Sequence, residues 1–192
     1  MSTKKEKTNK NTFYFCTLTC YNWIPLFEIT NLYDHISKWF KILKSKNIYV
    51  VGYVIMPNHM HLILYIPGIF NNINFIIGTG KRFMAYEIVN RLRDLKRNDL
   101  LKRLEAGVKI TAKKRNKIHQ VFQPSFDLKE LETEHYILQK LNYIHRNPVS
   151  NKYNLVNDFT NFKYSSAGFY ELGESNEFDI THYLKVREII ES

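Results

Sequence analysis

The sequence predicts an α+β domain: a ferredoxin-like, βαββαβ-type antiparallel sheet with helices on one face and one additional helix toward the C-terminus. Three observations carry that expectation. Segments whose apolar residues alternate with period two are interleaved with segments in which they recur every three or four residues, the periods of a strand and of a helix. The segments follow one another as strand, helix, strand, strand, helix, strand, helix. A chain of 192 residues, 44% of them hydrophobic, also suffices for one packed core and is short for two.

The elements follow in order. Residues 1–11 are polar and charged and read as a disordered basic tail. Residues 12–21 alternate, with Phe13, Phe15, Thr17 and Thr19 on one face and Tyr14, Cys16, Leu18 and Cys20 on the other, which makes them the first strand. Leu32, Ile36, Phe40 and Leu43 form a helical stripe over residues 31–44. Residues 48–56 and 59–66 are rich in β-branched, aromatic and aliphatic side chains and are separated only by Pro57-Asn58, so they read as two strands joined by a tight turn. Residues 74–104 form a long helical region, continuous or broken, with Phe75, Phe83, Tyr86, Ile88, Val89 and Leu92 inward and the basic residues outward. A basic loop over 107–116 precedes a short strand at 118–122, ahead of Pro124. Residues 128–146 form the last helix, with Glu130, Glu132 and Glu134 favourably near its positive end and Asn147-Pro148 stopping it. One domain is therefore expected over residues 12–170, with residues 171–192 as a tail packing on it through Phe178, Ile180, Tyr183 and Leu184.

The formal net charge is +10 and the isoelectric point near 9.5. From Lys81 to Lys117 there are 13 lysines and arginines against four acids (Glu87, Asp94, Asp99, Glu105), a surplus of nine. Such a concentration points to a polyanion, nucleic acid first, although charge alone fits a solvated helix face followed by a basic loop equally well. No apolar run is long enough to span a bilayer, and the lysine-rich start has no apolar segment behind it, which excludes a membrane span and a signal peptide and predicts a cytoplasmic protein. Cys16 and Cys20 lie too far apart along a strand for an unstrained disulfide and are expected as reduced thiols.

His59-Met60-His61 carries the chemistry. Strand alternation puts both imidazoles on one face and sends Met60 to the other, an arrangement that can hold a divalent metal through two fixed nitrogens. A lone pair of this kind is short and often accidental. In the last helix Tyr143 and Asn147 are four residues apart and so share a face, a phenol able to attack and an amide oxygen able to ligate. Tyr136, seven residues earlier than Tyr143, lies on the same face, and periodicity does not choose between the two tyrosines.

Met56-Pro57-Asn58-His59-Met60-His61-Leu62, followed by Tyr143-Ile144-His145-Arg146-Asn147-Pro148-Val149, resembles the single-tyrosine HUH transposases, and within them the REP-associated tyrosine transposases. Lys81-Arg82-Phe83, Val121-Phe122-Gln123-Pro124-Ser125-Phe126 and Tyr164-Ser165-Ser166-Ala167 add to the likeness, which runs from about residue 12 to about residue 170. The resemblance implies a nuclease and strand transferase on single-stranded or hairpin DNA, acting as a monomer or homodimer, with Tyr143 as nucleophile and Tyr136 structural. It implies His59 and His61 as ligands of Mg2+ or Mn2+ with Asn147 as the third, whereas two imidazoles and an amide oxygen suit manganese or zinc at least as well as magnesium. Lys81, Arg82, Lys113, Lys114, Arg115 and Lys117 are the candidate DNA contacts. The sequence departs from the family's pattern at Asp127-Leu128-Lys129-Glu130 and in the length of the basic segment 98–116. A second class of function, a non-catalytic basic nucleic-acid-binding protein on a ferredoxin-like sheet, needs none of His59, His61, Tyr143 and Asn147.

Overall fold

A computed structural model describes residues 12–70, 72–114, 116–175 and 177–191, with the side chains of 190 and 191 left out; the expected basic tail and Arg115 fall outside the described residues. Strands β1 (Thr12–Thr19), β2 (Tyr49–Met56), β3 (His59–Ile66) and β4 (Asp127–Leu131) form one sheet in the order β2-β3-β1-β4, every neighbouring pair antiparallel. The helices are α1 (Leu26–Ile29), α2 (Tyr33–Lys44), α3 (Ile73–Asp94), α4 (Asn98–Ala106), α5 (Ile110–Lys113), α6 (Glu134–His145), α7 (Ala167–Glu171) and α8 (Tyr183–Glu191). Among the described residues no helix is long and apolar enough to cross a membrane.

Strand alternation splits the core in two. Tyr14, Cys16 and Leu18 of β1 and Met60, Leu62 and Leu64 of β3 face α2 and α3, whose Ile36, Phe40, Leu43, Ile77, Met84, Ile88 and Leu92 complete the larger cluster. Cys16 and Cys20 are buried there as free thiols. On the opposite face Phe13, Phe15, Ile63 and Tyr65 meet Ile137, Leu141 and Ile144 of α6 and Tyr183 and Val186 of α8. The helix carrying Tyr143 thus covers the side that α2 and α3 leave open. In the C-terminal tail, Phe178 packs on Phe40 and Tyr53 of the first core.

Three local devices fix α6. Thr133 caps its start, its side chain accepting from the Tyr136 amide. Gly52, at a register shift in β2, lets the helix lie against the sheet, since a Cβ there would come within 2.5 Å of Leu141 Cδ2 and 3.3 Å of Ile144 Cδ1. At the far end His145 Nε2 lies 2.8 Å from Ser166 Oγ, which also accepts from the Tyr53 amide of β2 at 3.0 Å.

Several expectations are corrected. Residues 118–122 are not the fourth strand: they make one isolated bridge, Cys20 with Phe122, and the ladder stops because Pro124 has no amide hydrogen to donate. β4 is instead Asp127–Leu131, read from sequence as the start of the last helix. Its Asp127, Lys129 and Glu130 suit an edge strand, where charge blunts unwanted pairing, and Leu128 and Leu131 still reach the two cores. The long helical region is broken, with left-handed Lys96 between α3 and α4, and the expected basic loop contains α5. Phe75 and Tyr86 point outward, 66% and 68% exposed, because the inward stripe of α3 runs through Ile76, Ile77, Gly80, Met84, Ile88 and Leu92.

Candidate active site

The site begins with the β2–β3 turn. His59 and His61 leave β3 on the α6 face and are only 3% and 6% exposed, with ring centroids 4.9 Å apart. Met60 between them is buried in the opposite core, as alternation requires. Each ring is oriented through Nδ1. Asn58 Oδ1 lies 2.7 Å from His59 Nδ1, and because Asn58 Nδ2 donates to the Trp23 carbonyl, its oxygen is the atom that faces the ring. An amide oxygen can only accept, so His59 carries its proton on Nδ1 and keeps a lone pair on Nε2. Thr17 Oγ1, across the sheet on β1, holds His61 Nδ1 at 2.8 Å. Burial, reinforced by the charge of Lys152, lowers His59 to about 4; burial, then His59 and Lys140, lowers His61 to about 3. At neutral pH both rings are therefore uncharged, the form in which histidine binds a metal.

The last turns of α6 hang over this pair. The Tyr143 ring stands edge-on to His61, centroids 5.5 Å apart, and edge-on to Phe15 at 6.1 Å, while the residue remains 49% exposed. Phe15 also stacks on His61 at 5.5 Å. Lys140, one turn before Tyr143, holds its ammonium 4.7 Å from the Phe15 ring centre and 5.0 Å from that of Tyr143. Tyr136 has its ring contact with His135 instead. Of the two tyrosines that spacing could not separate, Tyr143 is the one beside the imidazoles. Asn147 follows the helix end, with Nδ2 donating to the Tyr143 carbonyl at 3.0 Å, so its hydrogen bond is to α6. Among the described residues no three His, Cys, Asp or Glu side chains converge, which leaves the imidazole pair in need of an amide, a hydroxyl or substrate oxygens to complete a coordination sphere.

The expected DNA contacts separate into two groups. Lys81, Arg82 and Lys117 line a cavity of about 680 Å³ between α3 and residues 116–126, together with Arg93. Lys81 Nζ donates to the Gln123 carbonyl at 2.6 Å and sits 5.8 Å from the ring centres of Phe122 and Phe126. Burial and then Lys117 bring its pKa down to about 8. Lys113 and Lys114, at the end of α5, are exposed and outside the cavity. The outward Tyr86 belongs to the cavity wall.

Sequence reasoning placed Thr17 on the correct face without giving it a partner and named Asn58 only as a turn residue. It missed Lys140 and the cluster of Trp23, Lys152 and Tyr153 beside His59.

A four-stranded antiparallel sheet with α2 and α3 on one face, and a tyrosine-bearing helix against a histidine pair on the other, defines the class of fold. The chain has the fold of a REP-associated tyrosine transposase solved bound to a REP hairpin, with 95% of each chain covered, a TM-score of 0.60 and 17% sequence identity. A candidate transposase from Deinococcus radiodurans R1 overlaps more loosely, with a TM-score of 0.43 and 16% identity over 76% of this chain and 97% of that one. No protein-family model and no curated protein matches the sequence.

Proposed function

We propose that this chain is a metal-dependent endonuclease and strand transferase for single-stranded DNA, acting at hairpin-associated sites through a 5′-phosphotyrosine intermediate. The observation that carries the reading is the placement of Tyr143 edge-on to His61, 5.5 Å between ring centres, from an element independent of the histidine strand. Binding alone requires no such meeting. In this reading the sheet of order β2-β3-β1-β4 is a ferredoxin-like one, and a DNA substrate is supported by the protein of similar fold solved with a REP hairpin.

In this reading the Tyr143 hydroxyl oxygen attacks the scissile phosphorus. The bond from oxygen to phosphorus forms, the bond from phosphorus to the 3′ oxygen breaks, the phenol gives up its proton and the departing 3′ oxygen gains one. Because the phosphodiester is exchanged and not hydrolysed, a second DNA 3′-hydroxyl can reverse the step without a nucleotide triphosphate. A free phenol titrates near ~10 and is a weak nucleophile at neutral pH, and the Lys140 ammonium over its ring favours the negative charge that develops on attack. His59 and His61, neutral and held through Nδ1 by Asn58 and Thr17, fit a divalent ion, Mg2+ or Mn2+, with Asn147 as candidate third ligand. The ion would supply electrophilic activation of the phosphate. Lys81, Arg82, Arg93 and Lys117 would neutralise backbone phosphates along the cavity.

The test is covalent attachment. With Mn2+ and a hairpin-bearing single-stranded oligonucleotide, the protein is expected to form a DNA adduct that survives denaturing electrophoresis. Tyr143→Phe is expected to lower adduct formation by ~10³-fold or more, while Tyr136→Phe retains it. Adducts at the normal rate from Tyr143→Phe would overturn the assignment, and binding without any adduct would favour a non-catalytic nucleic-acid-binding protein.

A further inference from the structure

We propose that Trp23, Lys152 and Tyr153 form a binding site for an unpaired nucleobase of the substrate, next to the phosphate that Tyr143 attacks; this rests on the function proposed above. Trp23 is 49% exposed, whereas the other tryptophan of the chain, Trp39, is 3% exposed in the core. Trp23 belongs to neither core. Trp23 is also presented by an unfavourable backbone: it lies at φ 56° and follows Asn22 at φ 49°, two successive left-handed residues without glycine. That conformation is uncommon for any residue with a side chain and an outlier for a bulky one, and strain of this kind gathers at ligand sites.

The position of the ring gives the strain a purpose. Trp23 stands edge-on to His59 with centroids 5.5 Å apart, and Tyr153 approaches the same imidazole at 5.4 Å. Lys152 holds its ammonium 4.8 Å from the Trp23 ring centre and 5.1 Å from that of Tyr153. Two rings and one cation therefore gather at His59, whereas Phe15 and Tyr143 contact His61. A base offers a π-face to the indole, and its phosphate offers a negative charge to the lysine, so one nucleotide uses both features. Stacking accepts every base, so the site would hold the strand in place more than read its sequence.

The same segment joins the cavity to the imidazoles. Tyr21 donates its amide to the Val121 carbonyl in the cavity wall, and two residues later the Trp23 carbonyl accepts from Asn58, whose oxygen orients His59. The Tyr21–Trp23 segment is thus bonded at Tyr21 to the cavity wall and at Trp23 to the loop that sets His59. A base stacked there would also bear on the loop that sets the His59 ring.

Intrinsic fluorescence separates this site from the chemistry. In the full chain carrying Tyr143→Phe, so that the probe stays intact, a single-stranded oligonucleotide with a hairpin is expected to quench the exposed tryptophan. A blunt duplex is expected not to, and Trp23→Phe should abolish the signal, leaving only buried Trp39. In the cleaving protein, Trp23→Leu is expected to raise KM for the oligonucleotide about ten- to a hundredfold, with kcat changed much less and Trp23→Tyr restoring most of the loss. Lys152→Gln, which leaves the backbone at Trp23 untouched, should raise KM and flatten its salt dependence. Emission unmoved by the single strand, or an unchanged KM in both Trp23→Leu and Lys152→Gln, would overturn the proposal even if the wild type forms adducts. Failure of the wild type to form adducts is a separate result and counts against the function on which the proposal rests.

Discussion

The two faces of the sheet are made from the same strands and do different work. On one, Cys16, Leu18, Met60 and Leu62 are sealed beneath α2 and α3 in a continuous apolar core. On the other, the neighbouring residues Phe15, Thr17, His59 and His61 lie beneath α6, and there the apolar packing stops short at two imidazoles, a threonine hydroxyl and a half-exposed phenol. One step along β3 separates a residue that can only stabilise from one able to do chemistry. The first face fixes where β1 and β3 lie, and the second makes use of that precision, since Thr17 and His61 meet only if the register of the two strands is correct.

Leu62→Ala against His61→Ala puts that contrast to the sharpest test. Leu62 is fully buried, and truncating it should cost ~2–5 kcal/mol by loss of transfer energy and a residual cavity. It should leave adduct formation per folded molecule nearly unchanged. His61→Ala should lower adduct formation by ~10³-fold, comparable to losing an essential group, and cost only ~1 kcal/mol of stability through the unpaired Thr17 hydroxyl. Urea midpoints and adduct yields measured side by side decide the matter. Equal destabilisation by both variants, with activity intact in His61→Ala, would dissolve the distinction between the faces.

Gly52 shows how the second face is positioned. Gly52→Ala would place a methyl 2.5 Å from Leu141 Cδ2, and one of the two must shift. Overpacking of this kind costs ~1–3 kcal/mol. Because Tyr143 lies only two residues past Leu141 on α6, the shift should also lower adduct yield in the molecules that remain folded. A variant with lowered stability and undiminished adduct yield per folded molecule would show that α6 tolerates displacement from the sheet.

What the sequence made legible follows from periodicity. The common face of His59 and His61 comes from a period of two within one strand, and the common face of Tyr143 and Asn147 from one helical turn. Long-range meetings leave no such trace. Nothing local says that Thr17 will stand opposite His61, that Ser166 will lock His145, or that Lys152 will reach across to Trp23 and Tyr153 to His59. β4 was hidden for a different reason: three charged residues in a five-residue strand make sense only at a sheet edge, which is a property of the assembled fold. Phe75 and Tyr86 were expected inward because apolar letters usually are. Tyr86 in fact borders the basic cavity, in a lining that includes Lys81, Arg82 and Arg93.

The smallest effect concerns the pH dependence that the second face builds into stability. His145, like His59 and His61, lies on the α6 side; it is deeply buried with Ser166 Oγ at 2.8 Å, and burial lowers it to about 4. An unfolded imidazole takes up its proton near ~6.5, so between that pH and about 4 the unfolded chain binds a proton that the folded chain refuses. The contribution is complete above ~6.5 and is lost as pH falls toward 4, at up to ~1.4 kcal/mol per pH unit for each such group. His145→Gln, which keeps a polar partner for Ser166 and removes the titration, should cost some stability at pH 7. It should also make the decline of the urea midpoint between pH 7 and 5 shallower by about one proton. A decline as steep as the wild type's would mean that His145 takes up its proton in the folded protein as readily as in the unfolded chain, and that this end of α6 is more open to water than its packing against Ser166 and Tyr170 implies.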